Sequence, residues 1–285
     1  MEVGMGLRIN TNVPSLVAQR NLRSTRGSLD RTLERLSSGS RINHAGDDAA
    51  GLAISESLRA QIRGLGQAER NAQDGISLVQ VAESAMGEVS NILIRMRELG
   101  VQAASDTVGP QERRFLDVEF QQLMEEVDRI ANSTEFNGIP LLNGNASTFE
   151  IQVGTGNNPA IDRIRLFDSN SADISVVALG LNLSNVADKA SAQNSLASID
   201  DALQGVTSIR AEFGAMQNRL QSVSNNIMIS KENLSAANSR IRDADIAEET
   251  TELTKNQILT QSGISVLSQA NSTTKAALGL LGQGG

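Results

Sequence analysis

The sequence predicts a mainly α-helical protein, built as a long antiparallel coiled-coil rod with a small β-hairpin element and paired terminal helices. Two long stripes of apolar residues with the coiled-coil period support the rod. Only 4 of the 285 residues are proline, which permits long uninterrupted helices. A short segment rich in turn residues separates the two stripes and accounts for the hairpin.

The N-terminal part of the chain has the apolar spacing of an amphipathic helix. This pattern ends at Ser37-Ser38-Gly39, because glycine favours the C-terminus of a helix. The members of the stripe are Ala18, Leu22, Thr25, Leu29, Leu33 and Leu36.

A longer stripe runs from Leu58 to Ala103 with a mean step of about 3.5 residues, the coiled-coil period. A helix of this extent is roughly 70 Å long at 1.5 Å per residue. Residues 106–110 end it, and a further helix follows, predicted to run antiparallel to its predecessor. The stripe of that next helix is Leu116, Phe120, Leu123, Val127 and Ile130.

Turn-forming residues dominate the middle of the chain after Asn137. The pairs Asn137-Gly138 and Asn143-Gly144 are turn signals, as is the stretch 154–159. Because a small hairpin is unstable alone, we expect this element to pack on the helices. The strand-like runs between the turns are residues 149–153, 161–167 and 173–179.

The helical period returns from Leu196 to Ile241 and matches the earlier long stripe in length and spacing. Each stripe is half of an interface, and packing one on the other buries both. The last segment, 243–281, has low apolar density. We therefore expect both chain ends to be poorly ordered in an isolated chain and to gain structure by packing against each other and against other chains.

These patterns divide the chain into four segments. Residues 1–45 form an N-terminal helical segment, and 46–190 form the first half of the rod, including a hairpin region at 137–181. Residues 191–240 form the second half of the rod, and 241–285 form a C-terminal helical segment.

Composition excludes several classes of protein. The chain has no cysteine and one histidine, so thiol chemistry, disulfides, cysteine-based metal sites and mechanisms with two imidazoles are ruled out. A net charge of −8 and the absence of tyrosine and tryptophan argue against nucleic-acid binding. No apolar run reaches the roughly 18–20 residues of a membrane helix, and residues 1–30 lack the apolar core of a secretory signal peptide.

No catalytic constellation, cofactor site or metal site is predicted, so we do not expect an enzyme. His44 lies beside Asp47 and Asp48 and is interpreted as an ordinary surface residue. The two aspartates suit a helix N-terminus, and adjacent carboxylates do not share a helix face as cation ligands would. Gly154-Thr155-Gly156 resembles part of a phosphate loop but lacks the lysine at the required spacing.

Seven arginines and two acidic residues lie between positions 7 and 45, a local balance of +5. The arginines are either a solvated helix face or part of a packed protein interface, where their forked pairs tolerate partial burial. The segment from Arg240 onward carries four basic and five acidic residues, so opposed charges, with Arg31 and Arg35 on the N-terminal side, are candidates to set the register of the two terminal helices. Exposed ion pairs contribute about 0–1 kcal/mol each.

Motifs along nearly the whole chain resemble bacterial flagellin, the subunit of the flagellar filament. Each motif alone is weak, whereas their order and spacing together are specific. They are LERLSSG at 33–39, AGDDAAGLAI at 45–54, RNAQDGIS at 70–77, FNG at 136–138, SRIRDAD at 239–245 and VLSQAN at 266–271.

The resemblance implies a structural subunit that polymerises head to tail into the flagellar filament for swimming motility. In this family the chain termini pair as a coiled coil lining the filament core, and a helical rod with a β-hairpin surrounds it. The gap at 181–192 holds no outer domain, which implies a minimal form. The expected assembly seams are Leu22, Leu29, Leu33, Leu36, Ile258, Leu259 and Leu267.

The resemblance also implies partners and a location. Flagellins leave the cell through the flagellar export apparatus without a cleavable signal peptide, and a chaperone holds the C-terminal segment before export. A filament cap protein and hook–filament junction proteins are the other expected partners, and the protein is expected to be secreted into the filament. Met1 and Met5 are both candidate starts, and residues 282–285 extend past the common end of the family.

In animals a flagellin-sensing Toll-like receptor reads one flagellin surface, whose main contacts map to Arg95, Leu99 and Glu119. All three identities match, while Ile94 replaces a polar residue common beside that arginine. The alternative is that Leu99, a member of the long apolar stripe, faces a neighbouring chain.

Three other functions have to be distinguished from that of a filament subunit. A hook–filament junction protein has similar terminal helices but would be present in few copies. An enzyme carried on the filament would need an inserted domain with a metal site. A coiled-coil scaffold would be found in the cell interior.

Overall fold

The computed structural model describes residues 11–144, 148–166 and 172–282, with side chains described as far as residue 276. The fold is mainly α-helical, as predicted. The helices are α1 (Val13–Ser38), α2 (Ala49–Ala103), α3 (Pro110–Ser133), α4 (Pro159–Asp162), α5 (Lys189–Arg242) and α6 (Ile246–Gly282). The strands are β1 (Glu135–Phe136), β2 (Ile139–Pro140), β3 (Glu150–Gln152) and β4 (Arg163–Arg165).

The chain divides into two compact units. The first combines the described residues up to Arg59 with those from Leu234 onward, and the second spans Ala60–Asn233. These limits lie inside α2 and α5, whereas the sequence placed the segment boundaries after residues 45 and 240. The division of the chain into four segments stays a prediction.

The second unit has a continuous apolar core along its antiparallel helices. Ion pairs fix the direction of α2 and α5: Glu69 pairs with Lys231 at 3.0 Å and Arg97 with Asp200 at 2.6 Å. The hydrogen bond from Arg97 holds the pKa of Asp200 below its ordinary value. The predicted stripes are the buried ones, including Ala72, Val79, Met86, Leu93 and Leu99 on α2 and Ile199, Val206, Phe213, Leu220 and Ile227 on α5.

The third helix runs antiparallel to α2, as predicted. The Arg113 side chain donates to the carbonyl of Ala103 at 2.8 Å, and Arg95 pairs with Glu119 further along both helices. The α3 side chains that are buried against the core are Phe120, Met124, Val127 and Ala131.

Two small antiparallel strand pairs follow α3. In the first, Phe136 pairs with Ile139 around the turn Asn137-Gly138, whose φ values of 51° and 76° lie in the left-handed region. In the second, β3 pairs with β4, with Ile151 opposite Ile164. The prediction of a small antiparallel hairpin element is confirmed by this second pair.

The prediction of a strand at 173–179 is wrong. Ala172, Ile174 and Val176 are buried, so the alternation in the sequence does reflect one buried face. Among the described residues no strand pairs with this run: the N–H of Ile174 donates to Leu142 O at 3.0 Å and that of Val176 to the Asp128 carboxylate at 2.7 Å. The remainder of this run forms turns, and position 167 of the preceding predicted strand lies outside the described residues.

In the first unit, α1 ends where the sequence predicted. Gly39 adopts a left-handed φ of 68° and its N–H donates to Arg35 O at 2.8 Å. Asp48 accepts the N–H of Gly51 at 2.9 Å, as a residue preceding a helix does. A side chain at Gly51 would collide with the Asp48 carboxylate and lie 2.8 Å from the Ile42 side chain, so it would displace the group that accepts the Gly51 N–H.

Within the described ranges, none of the helices combines the length and apolarity that crossing a membrane requires.

Candidate functional site

The two terminal helices, α1 and α6, pack against each other in antiparallel fashion within the first unit. At one end the side chain of Asn12 donates to Ala270 O at 2.9 Å and to Thr274 Oγ1 at 2.7 Å, and Ser15 donates to Asn271 at 3.0 Å. At the other end Arg35 pairs with Glu249 at 3.2 Å. The pairing of the chain ends with each other therefore occurs within one chain.

Burial in this helix pair is less apolar than in an ordinary amphipathic pair. The buried positions are mostly polar: Ser15, Thr32, Glu249 and Asn256, together with Ala18. Large apolar side chains are exposed along both helices, so the pair leaves apolar area that other molecules could cover. Among the described side chains these are Val13, Leu16, Val17 and Leu33 on α1 and Ile246, Ile258, Leu259, Ile264 and Val266 on α6.

The predicted seam residues fall into two groups. Ile258 is 64% exposed and Leu259 and Leu33 are each 47% exposed, so these three lie on the open apolar surface. The others are half-buried at the helix pair: Leu22, Leu29, Leu36 and Leu267.

The charge pattern suggested that Arg31 and Arg35 pair with the C-terminal helix. An ion pair of this kind is present for Arg35 only. Arg35 contacts the Glu249 carboxylate, whose side chain is only 11% exposed. Arg31, by contrast, donates to Ser28 of its own helix at 3.2 Å. Arg35 therefore lies at a packed interface, whereas Arg31 belongs to the solvated face.

Reversing the charge at Arg35 should loosen the helix pair. Arg35→Glu places a second carboxylate against the nearly buried Glu249, and we expect a loss of about 2 kcal/mol in local stability. Hydrogen exchange of the α1 amides, followed by mass spectrometry, measures this loss. Arg31→Glu carries the same charge change without a cross-helix partner and should have little effect, while Arg35→Glu with Glu249→Arg should restore protection. Equal exchange in both single variants would contradict a role in register.

The segment between α1 and α2 forms backbone hydrogen bonds with the junction of α5 and α6. The N–H of Arg41 donates to Arg242 O at 2.6 Å, and the N–H of Ala244 donates to Gly39 O at 3.0 Å. Arg242 also pairs with Glu56 of α2, which lowers the pKa of that carboxyl. These bonds connect the end of α1 and the start of α6 to the first turns of α2.

His44 lies in the segment between α1 and α2 and is exposed, as the sequence predicted. Its Nε2 lies 2.7 Å from the Glu34 carboxylate. Asp47 accepts the backbone N–H groups of His44 and Asn43, which hold its pKa below the ordinary value. Across the described part of the chain, no cluster of three or more His, Cys, Asp or Glu side chains could hold a metal ion.

The glycine-rich turn at 154–156 binds a carboxylate of its own chain. Asp162 accepts the N–H of Gly156 at 3.2 Å and that of Asn158 at 2.9 Å. A side chain at Gly154 or Gly156 would collide with Asp162. The N–H groups that could have cradled a phosphate are therefore already occupied.

The structure brings two of the three proposed receptor contacts together. Arg95 lies 2.9 Å from both Glu98 and Glu119 on the surface of α2 and α3, and these hydrogen bonds raise its pKa above the ordinary value. Leu99 is fully buried beneath them in the core of the second unit. It supports this surface from inside and presents no side-chain area of its own.

Sequence reasoning missed the polar residues that join the helix pair. Asn12 precedes Pro14 and accepts the N–H of Ser15, a cap signal visible in the sequence. Thr32 and Asn256 carry no such signal, because a polar residue in a helix gives no indication of the neighbour it will face.

Comparison with known families assigns both ends of the chain. Residues 9–147 match the family model of the bacterial flagellin N-terminal helical region, and residues 196–281 match that of the bacterial flagellin C-terminal helical region.

Relatives cover nearly the whole chain. It is 46% identical to a flagellin of Halalkalibacterium halodurans, with 96% of this chain and 99% of the relative aligned. It is 42% identical to the flagellar filament 33 kDa core protein of Treponema phagedenis over the same shares. A putative flagellar hook-associated protein from Vibrio parahaemolyticus shares the fold, with a TM-score of 0.55 at 16% identity over 69% of this chain and 100% of the other.

Proposed function

Because this chain belongs to the bacterial flagellin family and is a structural subunit of the flagellar filament, we propose that the open apolar faces of α1 and α6 are the surface through which copies polymerise. Each contact joins one surface to a different one on the next copy, head to tail, so the assembly stays open and grows. A structural role of this kind requires no catalysis, and we propose that the protein is not an enzyme.

The exposed apolar side chains of the terminal helix pair carry this proposal. The leucines between the two helices are only half-buried, while Ile258 and Leu259 are exposed, so the pair by itself gains only part of the available hydrophobic stabilisation. Covering one such side chain in an assembly contributes about 1.5–3 kcal/mol. The same imbalance supports the prediction that the ends of an isolated chain are poorly ordered and gain stability by packing against sister molecules.

A single charge at the centre of this surface should weaken polymerisation strongly. Ile258→Glu forfeits the burial of one large apolar side chain, so we expect the critical concentration to rise about ten- to hundredfold. Sedimentation of filaments at a series of protein concentrations measures it.

The neighbouring position supplies a matched control. Gln257→Glu adds the same charge at an exposed polar site of the same helix, and it should change the critical concentration far less. Similar shifts for both variants would remove the support for an apolar seam at this surface.

The proposed route to the filament is export through the flagellar export apparatus without a cleavable signal peptide. We propose that an export chaperone covers the C-terminal segment, including Ile258, Leu259 and Leu267, before export. A cap protein at the growing tip and hook–filament junction proteins at the base are the other proposed partners. The apolar exposure of α6 supports the chaperone step, since such a surface would otherwise self-associate in the cell.

Recognition by an animal flagellin-sensing Toll-like receptor is proposed for the surface around Arg95 and Glu119. Their ion pair supports this because it presents a fixed arrangement of charges on α2 and α3. Leu99 would act only by packing beneath that surface.

A further inference from the structure

We propose that Asn137 is a site of spontaneous deamidation, and that the reaction with water there converts the β1–β2 turn into an aspartyl and isoaspartyl form. The reaction modifies the chain covalently and does not depend on polymerisation. It is one of two Asn–Gly pairs in the chain, the other being Asn143-Gly144.

The reaction is balanced by water and ammonia. The backbone nitrogen of Gly138 attacks the side-chain carbonyl carbon of Asn137 and loses its proton to base, and the C–N bond of the side-chain amide breaks to release ammonia. The product is a five-membered succinimide. Water then opens either of its two carbonyls, leaving an ordinary aspartyl residue in one product and, in the other, a main chain that continues through the side-chain carbon.

The surroundings of Asn137 leave both reacting groups accessible. Its side chain is exposed and, among the described residues, has no hydrogen-bond partner. No heavy atom outside the neighbouring residues lies within 4 Å of the position that a Gly138 side chain would take. The turn at Gly138 is therefore not packed against the rest of the fold.

The strand pair that holds the turn is short enough to open. Asn137 must leave the left-handed region to bring the Gly138 nitrogen to its side chain. Two residue pairs form this ladder, Pro140 in the outer pair has no N–H to donate, and one further bond runs from the Leu141 N–H to Thr134 O at 3.0 Å. A ladder of this size is marginal on its own, so we expect the turn to reach the reactive geometry by breaking these few bonds.

The second Asn–Gly pair is held more firmly. Asn143 follows Leu141 and Leu142, which are fully buried, and the carbonyl of Leu142 accepts the N–H of Ile174 at 3.0 Å. A side chain at Gly144 would collide with Asp173. Opening this turn requires moving buried side chains, so the fold protects Asn143 more than Asn137.

Peptide mapping by mass spectrometry of the full-length chain, aged in mildly alkaline buffer, tests the proposal. We expect deamidation at Asn137 to be at least about tenfold faster than at Asn143, a ratio that corresponds to about 1.36 kcal/mol of barrier. In urea the two rates should converge, since both sites then react as unfolded Asn–Gly pairs. A folded-state ratio equal to that in urea, or faster reaction at Asn143, would overturn the proposal.

Product identity and a variant make the test specific. Succinimide opening gives both aspartyl and isoaspartyl peptides, which separate by chromatography, so aspartate alone would refute the mechanism. Asn137→Gly keeps a turn that suits two positive φ values and removes the amide. It should abolish the modification of this peptide and leave the rate at Asn143 unchanged.

Discussion

Removal of residues 243–285 is expected to abolish filament formation while leaving a soluble helical chain. The truncation deletes α6 and with it the partner of α1 and half of the open apolar surface. The core of the second unit lies between Ala68 and Ile227 and loses none of its members. Electron microscopy under polymerising conditions should show no filaments, and circular dichroism should show a cooperatively folded helical protein.

The truncated chain should also show how much of the stability of α1 depends on its contacts with α6. Without Ala270, Thr274 and Glu249, the side chains of Asn12 and Arg35 lose their cross-helix contacts. Trypsin should then cleave rapidly at the arginines of α1, because an isolated helix of this length is marginal in water. A chain lacking only residues 283–285 serves as the control and should assemble. Normal filaments from the chain that lacks residues 243–285 would contradict the proposed mechanism.

The helices of the second unit were predictable because local and tertiary signals coincide there. On α5 the buried residues Ile199, Val206, Phe213, Leu220 and Ile227 recur every seventh position. This repeat requires no knowledge of the partner helix, since any partner that buries the stripe gives the same pattern. The end of α1 at Gly39 was predictable for a similar reason, as its signal is local.

Two features of the structure could not be predicted, because they depend on tertiary neighbours that a local sequence pattern does not identify. Residues 173–179 alternate like a strand because one face is buried, but their backbone bonds go to Leu142 and Asp128 and to turns. In the terminal pair, the sequence indicated the apolar stripe but not that Thr32 and Asn256 would be buried. In the candidate site, family motifs located the surface around Arg95, whereas burial of Leu99 followed from the stripe alone.

Phe120→Ala is expected to destabilise the second unit by about 3–5 kcal/mol, the cost of removing a large side chain from a packed core. Phe120 is fully buried on α3 and belongs to the same core as the long stripes of α2 and α5. Because α2 and α5 are long helices that pack along their whole buried stripes, we expect them to close only partly over the cavity. Urea unfolding followed by circular dichroism measures the change in the free energy of unfolding.

Phe115 provides the matched comparison on the same helix. It is 72% exposed, so Phe115→Ala removes the same atoms from a solvated position and should change stability by no more than about 0.5 kcal/mol. The difference between the two variants isolates burial from helix propensity, because each replaces phenylalanine by alanine in α3. Equal losses would place Phe120 outside the core and would contradict the packing of α3 against the two long stripes.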